Sequence, residues 1–140
     1  MVIAVDFDGT IVKHEYPNIG KPLLFAFETL RALQKQGHRL ILWTYRAGKK
    51  LDEAVEFCKQ HGVEFYAINK NYPEEEFDET ISRKIYADLY IDDRNIGGFP
   101  GWNVVWELIN EDIPFDSEKY FNLKNTKPSS LKDKLKNLFK

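Results

Sequence analysis

Apolar residues fall in short blocks along this chain, separated by polar or glycine-bearing stretches. Val2-Ile3-Ala4-Val5 is a continuous apolar run, the pattern of a strand buried on both faces of a sheet. Leu40 to Trp43 repeats it, Val63 to Ile68 is a third candidate, Ala87 to Ile91 a fourth, and Asn103 to Leu108, with two valines and a tryptophan, a fifth. Between the blocks the apolar spacing changes to three and four. Lys21-Pro22 opens a predicted helix in which Leu23, Ala26, Phe27, Leu30 and Leu33 form one face and Gly37 the stop. Leu51, Ala54, Val55 and Cys58 stripe a second helix that Gly62 ends. A short helix is expected around Ile81 to Tyr86. A last one is expected from Leu131 to Phe139, where Ser130 and Asp133 stand in capping-box positions. Strands alternating with helical patterns build right-handed βαβ units. The expected fold is therefore α/β, a Rossmann-like three-layer sandwich around a mostly parallel sheet.

The intervening loops carry their own signals. Ile11 to Gly20 contains Pro17, Asn18 and Gly20, which suits a small hairpin or loop lying as a flap over the end of the first strand. Asn69 to Glu79 holds Pro73 and five acids and reads as a solvated loop.

Composition narrows the class. With 43% hydrophobic residues in 140, one domain with a real core is expected, and there is too little chain for two ordinary ones. No apolar stretch approaches the roughly 20 residues that a membrane-crossing helix needs, so a cytoplasmic protein without a membrane partner is expected. Cys58 is the only cysteine, which excludes an internal disulfide or a multi-cysteine metal site, and its helix position suits a buried thiol. The net charge of −2 argues against a surface that binds nucleic acid throughout. Charge is unevenly spread, however. Residues 117–140 carry seven lysines against Glu118 and Asp133, a balance of +5, which leaves −7 on residues 1–116. We therefore read 1–116 as the domain and 117–140 as a basic extension with a terminal helix.

The chemistry-bearing residues cluster where strands end. Val2 to Val5 stops at Asp6-Phe7-Asp8-Gly9-Thr10, Leu40 to Trp43 at Thr44, and Ala87 to Ile91 at Asp92-Asp93. In open parallel sheets, ligands bind beyond the carboxyl ends of the strands, so these groups are delivered to one edge. Period-two alternation puts Asp6 and Asp8 on one side of the chain with Phe7 on the other. Two close carboxylates repel and need a cation or a proton between them. Alone, Asp8-Gly9 could be a hairpin turn, Thr44 a strand-end hydroxyl and Asp92-Asp93 a turn. Carboxylates with a hydroxyl and the ammonium of Lys84 together match phosphoryl transfer, which needs a nucleophile, an oxygen-liganded divalent cation and donors for the phosphoryl oxygens. His14, His38 and His61 are scattered and do not form a zinc set.

Asp6-Phe7-Asp8-Gly9-Thr10 after an apolar strand resembles the first motif of the haloacid dehalogenase (HAD) superfamily of phosphohydrolases. Thr44, Lys84 and Ile91-Asp92-Asp93 resemble its second, third and fourth motifs in their proper order. Receiver domains use similar groups in the opposite order. The resemblance implies that Asp6 is the nucleophile forming an aspartyl-phosphate and that Asp8 is the acid/base, whose presence favours a phosphatase over a dehalogenase. It implies Mg²⁺ held by Asp6, the Asp8 carbonyl and Asp92, with Asp93 either a ligand or a partner of metal-bound water. Thr44 and Lys84 would bind the phosphoryl oxygens.

Superfamily members often carry a cap domain after the first motif or between the second and third. The segments between Thr10 and Thr44 and between Thr44 and Lys84 are too short for one. A capless protein has an open site, which suits large phosphorylated substrates or calls for a second copy of the chain to cover it. Tyr45, Arg46, Arg94 and the flap residues His14 to Tyr16 are candidate substrate contacts. The alternative is a HAD-like binding or regulatory protein with little turnover, acting through the basic tail on a partner, an acidic surface or nucleic acid.

Overall fold

The computed structural model describes residues 1–111. They divide into two compact units, Met1–Phe99 and a second that begins at Pro100. The first unit holds a four-stranded sheet in the order β3-β2-β1-β4, formed by β1 (Val2–Val5), β2 (Arg39–Leu42), β3 (Ala67–Ile68) and β4 (Leu89–Ile91). Every pairing is parallel, with Val5 opposite Leu42 on one side and Ile91 on the other. The fold is α/β with a Rossmann-like sheet, as the alternation of patterns predicts.

Both faces of the central strands are buried, which is why they read as unbroken apolar runs. Ala4, Ile41 and Ala67 lie in register across three strands and pack with Ile85 on one face. Ile3, Val5, Leu40 and Leu42 alternate to the other and are equally inaccessible. Helix α1 (Ala26–Lys35) connects β1 to β2, and α2 (Gly48–Gln60) connects β2 to β3. Phe57 of α2 meets Phe7 beyond β1 edge-on at 6.3 Å and Phe27 of α1 at 6.0 Å, while His61 stacks on Phe27 at 4.3 Å. Cys58 is fully buried, and burial pushes its thiol up to about 12.

Several expected elements come out differently. The first helix begins at Ala26 instead of Pro22, because Pro22 pairs with Val12 in an antiparallel bridge and Phe25 takes a left-handed φ of 65° just before α1. The third strand shrinks to Ala67–Ile68, and residues 81–86 are bends and irregular backbone instead of a helix. Ile85 is nevertheless a core residue, since the long connection from β3 to β4 must cover the sheet face that no helix of this unit takes.

In the second unit, the stretch expected as a fifth strand is helix α3 (Trp102–Asn110). Trp102, Val105 and Trp106 are spaced three and four apart and are all buried, so the helical period overrides the strand preference of tryptophan and valine. Among the described residues, no helix is long and apolar enough to cross a membrane. The basic extension and its terminal helix, Leu131 to Phe139, lie outside the described residues.

Candidate functional site

The parallel register places the site. Val5 sits opposite Ile91, and the Asp6 amide donates to the Ile91 carbonyl at 2.9 Å, so the residues following the two strands, Asp6 and Asp92, emerge side by side. Asp6, Asp92 and Asp93 each offer a carboxylate oxygen, and these oxygens lie within 4.8 Å of one another. Thr10 stitches the cluster together: its hydroxyl donates to Asp6 Oδ2 at 2.9 Å and accepts the Asp93 amide at 3.0 Å. The turn between Phe7 and Val12 makes this reach possible, and Gly9 is required in it. Gly9 has a φ of +90°, and a Cβ there would stand 2.1 Å from Asp93 Oδ2.

Crowding has an electrostatic consequence. Burial, then the neighbouring Asp92 charge, push the Asp6 carboxyl up from 3.8 to about 7, against the opposing hydrogen bonds from Thr10 and the Phe7 backbone. Three hard oxygen donors are the donor set of a Mg²⁺- or Ca²⁺-type ion, and unlike that of a thiolate- or imidazole-preferring metal. The residues present thus fit the divalent cation that the resemblance implies.

Asp8 has a different partner. Arg46 grips it with a two-pronged fork, Nε to Oδ2 at 2.7 Å and Nη2 to Oδ1 at 2.8 Å. The same guanidinium donates to the carbonyls of Asn18 at 2.9 Å and Pro17 at 3.2 Å and lies 5.1 and 5.2 Å from the rings of Phe7 and Tyr16. Its hydrogen bond with Asp8 holds Arg46 still more firmly protonated. Arg46 is 1% exposed. A substrate contact was expected of it, but every face of the guanidinium is already used within the protein, so it ties Asp8 to the flap instead.

Thr44 is held at the end of β2 by Asn69, whose Oδ1 accepts the Thr44 amide at 2.8 Å, while the Thr44 hydroxyl accepts the Arg46 amide at 3.2 Å. Asp6, Asp8, Thr44, Asp92 and Asp93 line one cavity of about 660 Å³, together with His14, Tyr16, Trp43, Tyr45 and Arg94. Of the candidate substrate contacts, Tyr45, Arg94 and the flap residues His14 and Tyr16 stand at this cavity, and Arg94 Nε is 3.8 Å from Asp93. Lys84 does not line it. The helix that would have carried Lys84 is absent, its side chain is exposed, and its Nζ lies 5.0 Å over the Tyr90 ring. The role of Asn69 was not read from the sequence. Its signal is an asparagine directly after an apolar strand, here with a left-handed φ of 54° that brings its amide back onto the Thr44 loop.

No family model and no curated protein matches the chain. A solved structure, that of a conserved protein encoded by a locus of Bacteroides thetaiotaomicron, is 58% identical, with a TM-score of 0.77. The match covers 82% of this chain and 93% of that one. The chain belongs to the family of that protein.

Proposed function

We propose that the chain is a divalent-cation-dependent phosphomonoester hydrolase of the HAD type that works through an aspartyl-phosphate on Asp6. The observation that carries this reading is the convergence of Asp6, Asp92 and Asp93 within 4.8 Å at the carboxyl ends of β1 and β4, in one cavity with Asp8 and Thr44. Asp6, the Asp8 carbonyl and Asp92 would hold Mg²⁺, with Asp93 beside them. When bound, the ion supplies positive charge that lets an anionic nucleophile approach an anionic phosphate.

The remaining steps belong to this chain's own residues. The Asp6 carboxylate oxygen bonds to phosphorus as the bond from phosphorus to the leaving oxygen breaks, and Asp8 gives that oxygen its proton. Asp8 then takes a proton from water, whose oxygen attacks phosphorus and releases inorganic phosphate and the free Asp6 carboxylate. Thr10 orients Asp6 through its hydrogen bond, and the Thr44 hydroxyl donates to a phosphoryl oxygen. Lys84 has no role in this scheme.

Phosphate release from a panel of phosphomonoesters, with Mg²⁺ and with EDTA, tests the reading. Turnover should need the ion and fall to background in Asp6→Asn. In Asp8→Asn it should fall by about 10²- to 10⁴-fold, the usual contribution of a general acid/base. Cation-independent turnover, or turnover surviving in Asp6→Asn, would refute the aspartyl-phosphate route.

A further inference from the structure

We propose that the cavity takes a phosphomonoester whose leaving group carries a planar aromatic ring, seated against Tyr16 and Tyr45 while the phosphoryl group lies at Asp6. The inference rests on the hydrolase reading for its reactive end and on ring geometry for its selectivity. The cavity is about 660 Å³, within the size of sites that enclose whole small molecules, and larger than a phosphoryl group alone would fill. Its lining is mixed. Asp6, Asp8, Asp92, Asp93, Thr44 and Arg94 supply polar and charged groups, whereas Trp43, Tyr16, Tyr45 and His14 supply rings.

Tyr45 is 92% exposed although the backbone on both sides of it is fixed. The Thr44 amide is held by Asn69, the Arg46 amide by the Thr44 hydroxyl, and the Arg46 side chain is locked on Asp8. Tyr16 is 45% exposed and is anchored next to Pro17, whose carbonyl Arg46 also holds. The two rings meet edge to face, with centroids 6.4 Å apart and planes at 69°. With Arg46 over the Tyr16 ring and the two rings edge to face, the open ring surface is mainly that of Tyr45. Large aromatic surface held open on an anchored loop at a cavity mouth gains its burial only when something flat covers it. A sugar or glycerol leaving group would instead call for several fixed donors and acceptors, which a wall of aromatic side chains supplies poorly. Stacking on such platforms tolerates any planar ring, so both nucleoside monophosphates and aryl phosphates share the required chemistry.

The test compares matched substrates with Mg²⁺: adenosine 5′-monophosphate against ribose 5-phosphate, which carries a hydroxyl where the nucleotide carries adenine, and tyrosine phosphate as the aryl case. The expected kcat/KM for adenosine 5′-monophosphate exceeds that for ribose 5-phosphate by about tenfold or more, the size of a single stacking interaction. Tyr45→Ala and Tyr16→Ala should erase that ratio through KM, and Tyr45→Phe should keep it. Preference for tyrosine phosphate over the nucleotide would place the ring directly on the leaving oxygen. Equal use of the matched pair, or a ratio untouched by both alanine variants, overturns the ring site and leaves the hydrolase standing. Equilibrium binding to Asp6→Asn separates the two ideas from the other side. Ring-selective binding there, with no phosphate release by the unmodified protein, keeps the site and overturns the hydrolase. The absence of both binding preference and turnover overturns both.

Discussion

Replacing Asp6 by Asn should make the metal-free protein more stable at neutral and alkaline pH, although it removes the proposed nucleophile. The substitution keeps an oxygen for the Thr10 hydroxyl and removes the charge that burial and Asp92 oppose. The Asp6 carboxyl is pushed up from 3.8 to about 7. At about 1.4 kcal/mol per tenfold change in proton affinity, ionised Asp6 costs the folded state on the order of 4 kcal/mol. The sign follows from where the proton binds more tightly. The folded protein holds it better than the unfolded chain, so this contribution is fully present below 3.8 and is lost as pH rises through about 7. Because a buried amide carries a desolvation cost of its own, we expect a net gain of about 2–3 kcal/mol for Asp6→Asn near pH 8. Urea unfolding in EDTA between about pH 5 and pH 8 measures it: the unmodified protein should weaken across that interval and the variant should stay nearly level. Adding Mg²⁺ should close most of that gap near pH 8, since an ion present at a hundred times its dissociation constant stabilises the native state by about 2.7 kcal/mol. A variant less stable than the unmodified protein near pH 8 in EDTA would refute the reasoning, as would a pH-independent unmodified protein.

Gly9→Ala should destabilise by about 2–3 kcal/mol, from the left-handed φ and the 2.1 Å approach of the new Cβ to Asp93. It should also weaken Mg²⁺ binding, read as a smaller thermal shift on adding the ion; an unchanged shift would mean that Asp93 is not part of the ion's site. Arg46→Met strands a carboxylate that is 12% exposed and should cost about 3–5 kcal/mol by chemical denaturation, with Arg46→Lys intermediate. In a double-mutant cycle with Asp8→Asn the two losses should be strongly non-additive, and simple additivity would show that the fork contributes little. Lys84→Met should leave phosphate release within about twofold, as expected for a surface substitution away from the cavity. Loss of turnover there would instead show that residues 81–86 rearrange to bring the lysine in.

The parts of the site legible in the sequence were those written in consecutive residues. An apolar run stopped by Asp6-Phe7-Asp8-Gly9-Thr10 states a buried strand, its end and the carboxylates placed there, because a parallel strand buried on both faces cannot place carboxylates anywhere but its terminus. Asp92-Asp93 after β4 and Thr44 after β2 are legible for the same reason. Helix α3 was not, since tryptophan and valine suit either element and only burial at a helical period decides between them. Nor was the absence of a helix around Lys84, where Ile85 packs with Ala4, Ile41 and Ala67 from irregular backbone.

The pairings across the site were decided only by tertiary structure. Arg46 is a cation next to a strand end, and nothing within its own segment distinguishes a ligand contact from a buried partner of Asp8, 38 positions away. That choice is made by where the flap lies, because Arg46 can be buried only when Asp8, Pro17 and Asn18 together satisfy its donors. Asn69 likewise acquires a role only when β3 is set beside β2. The sequence by itself determined which strand ends carry chemistry, since local pattern dictates strands and their termini. Tertiary packing decided which of those groups face the cavity and which are consumed holding it in shape, since hydrogen-bond satisfaction of buried charge is a property of the whole fold.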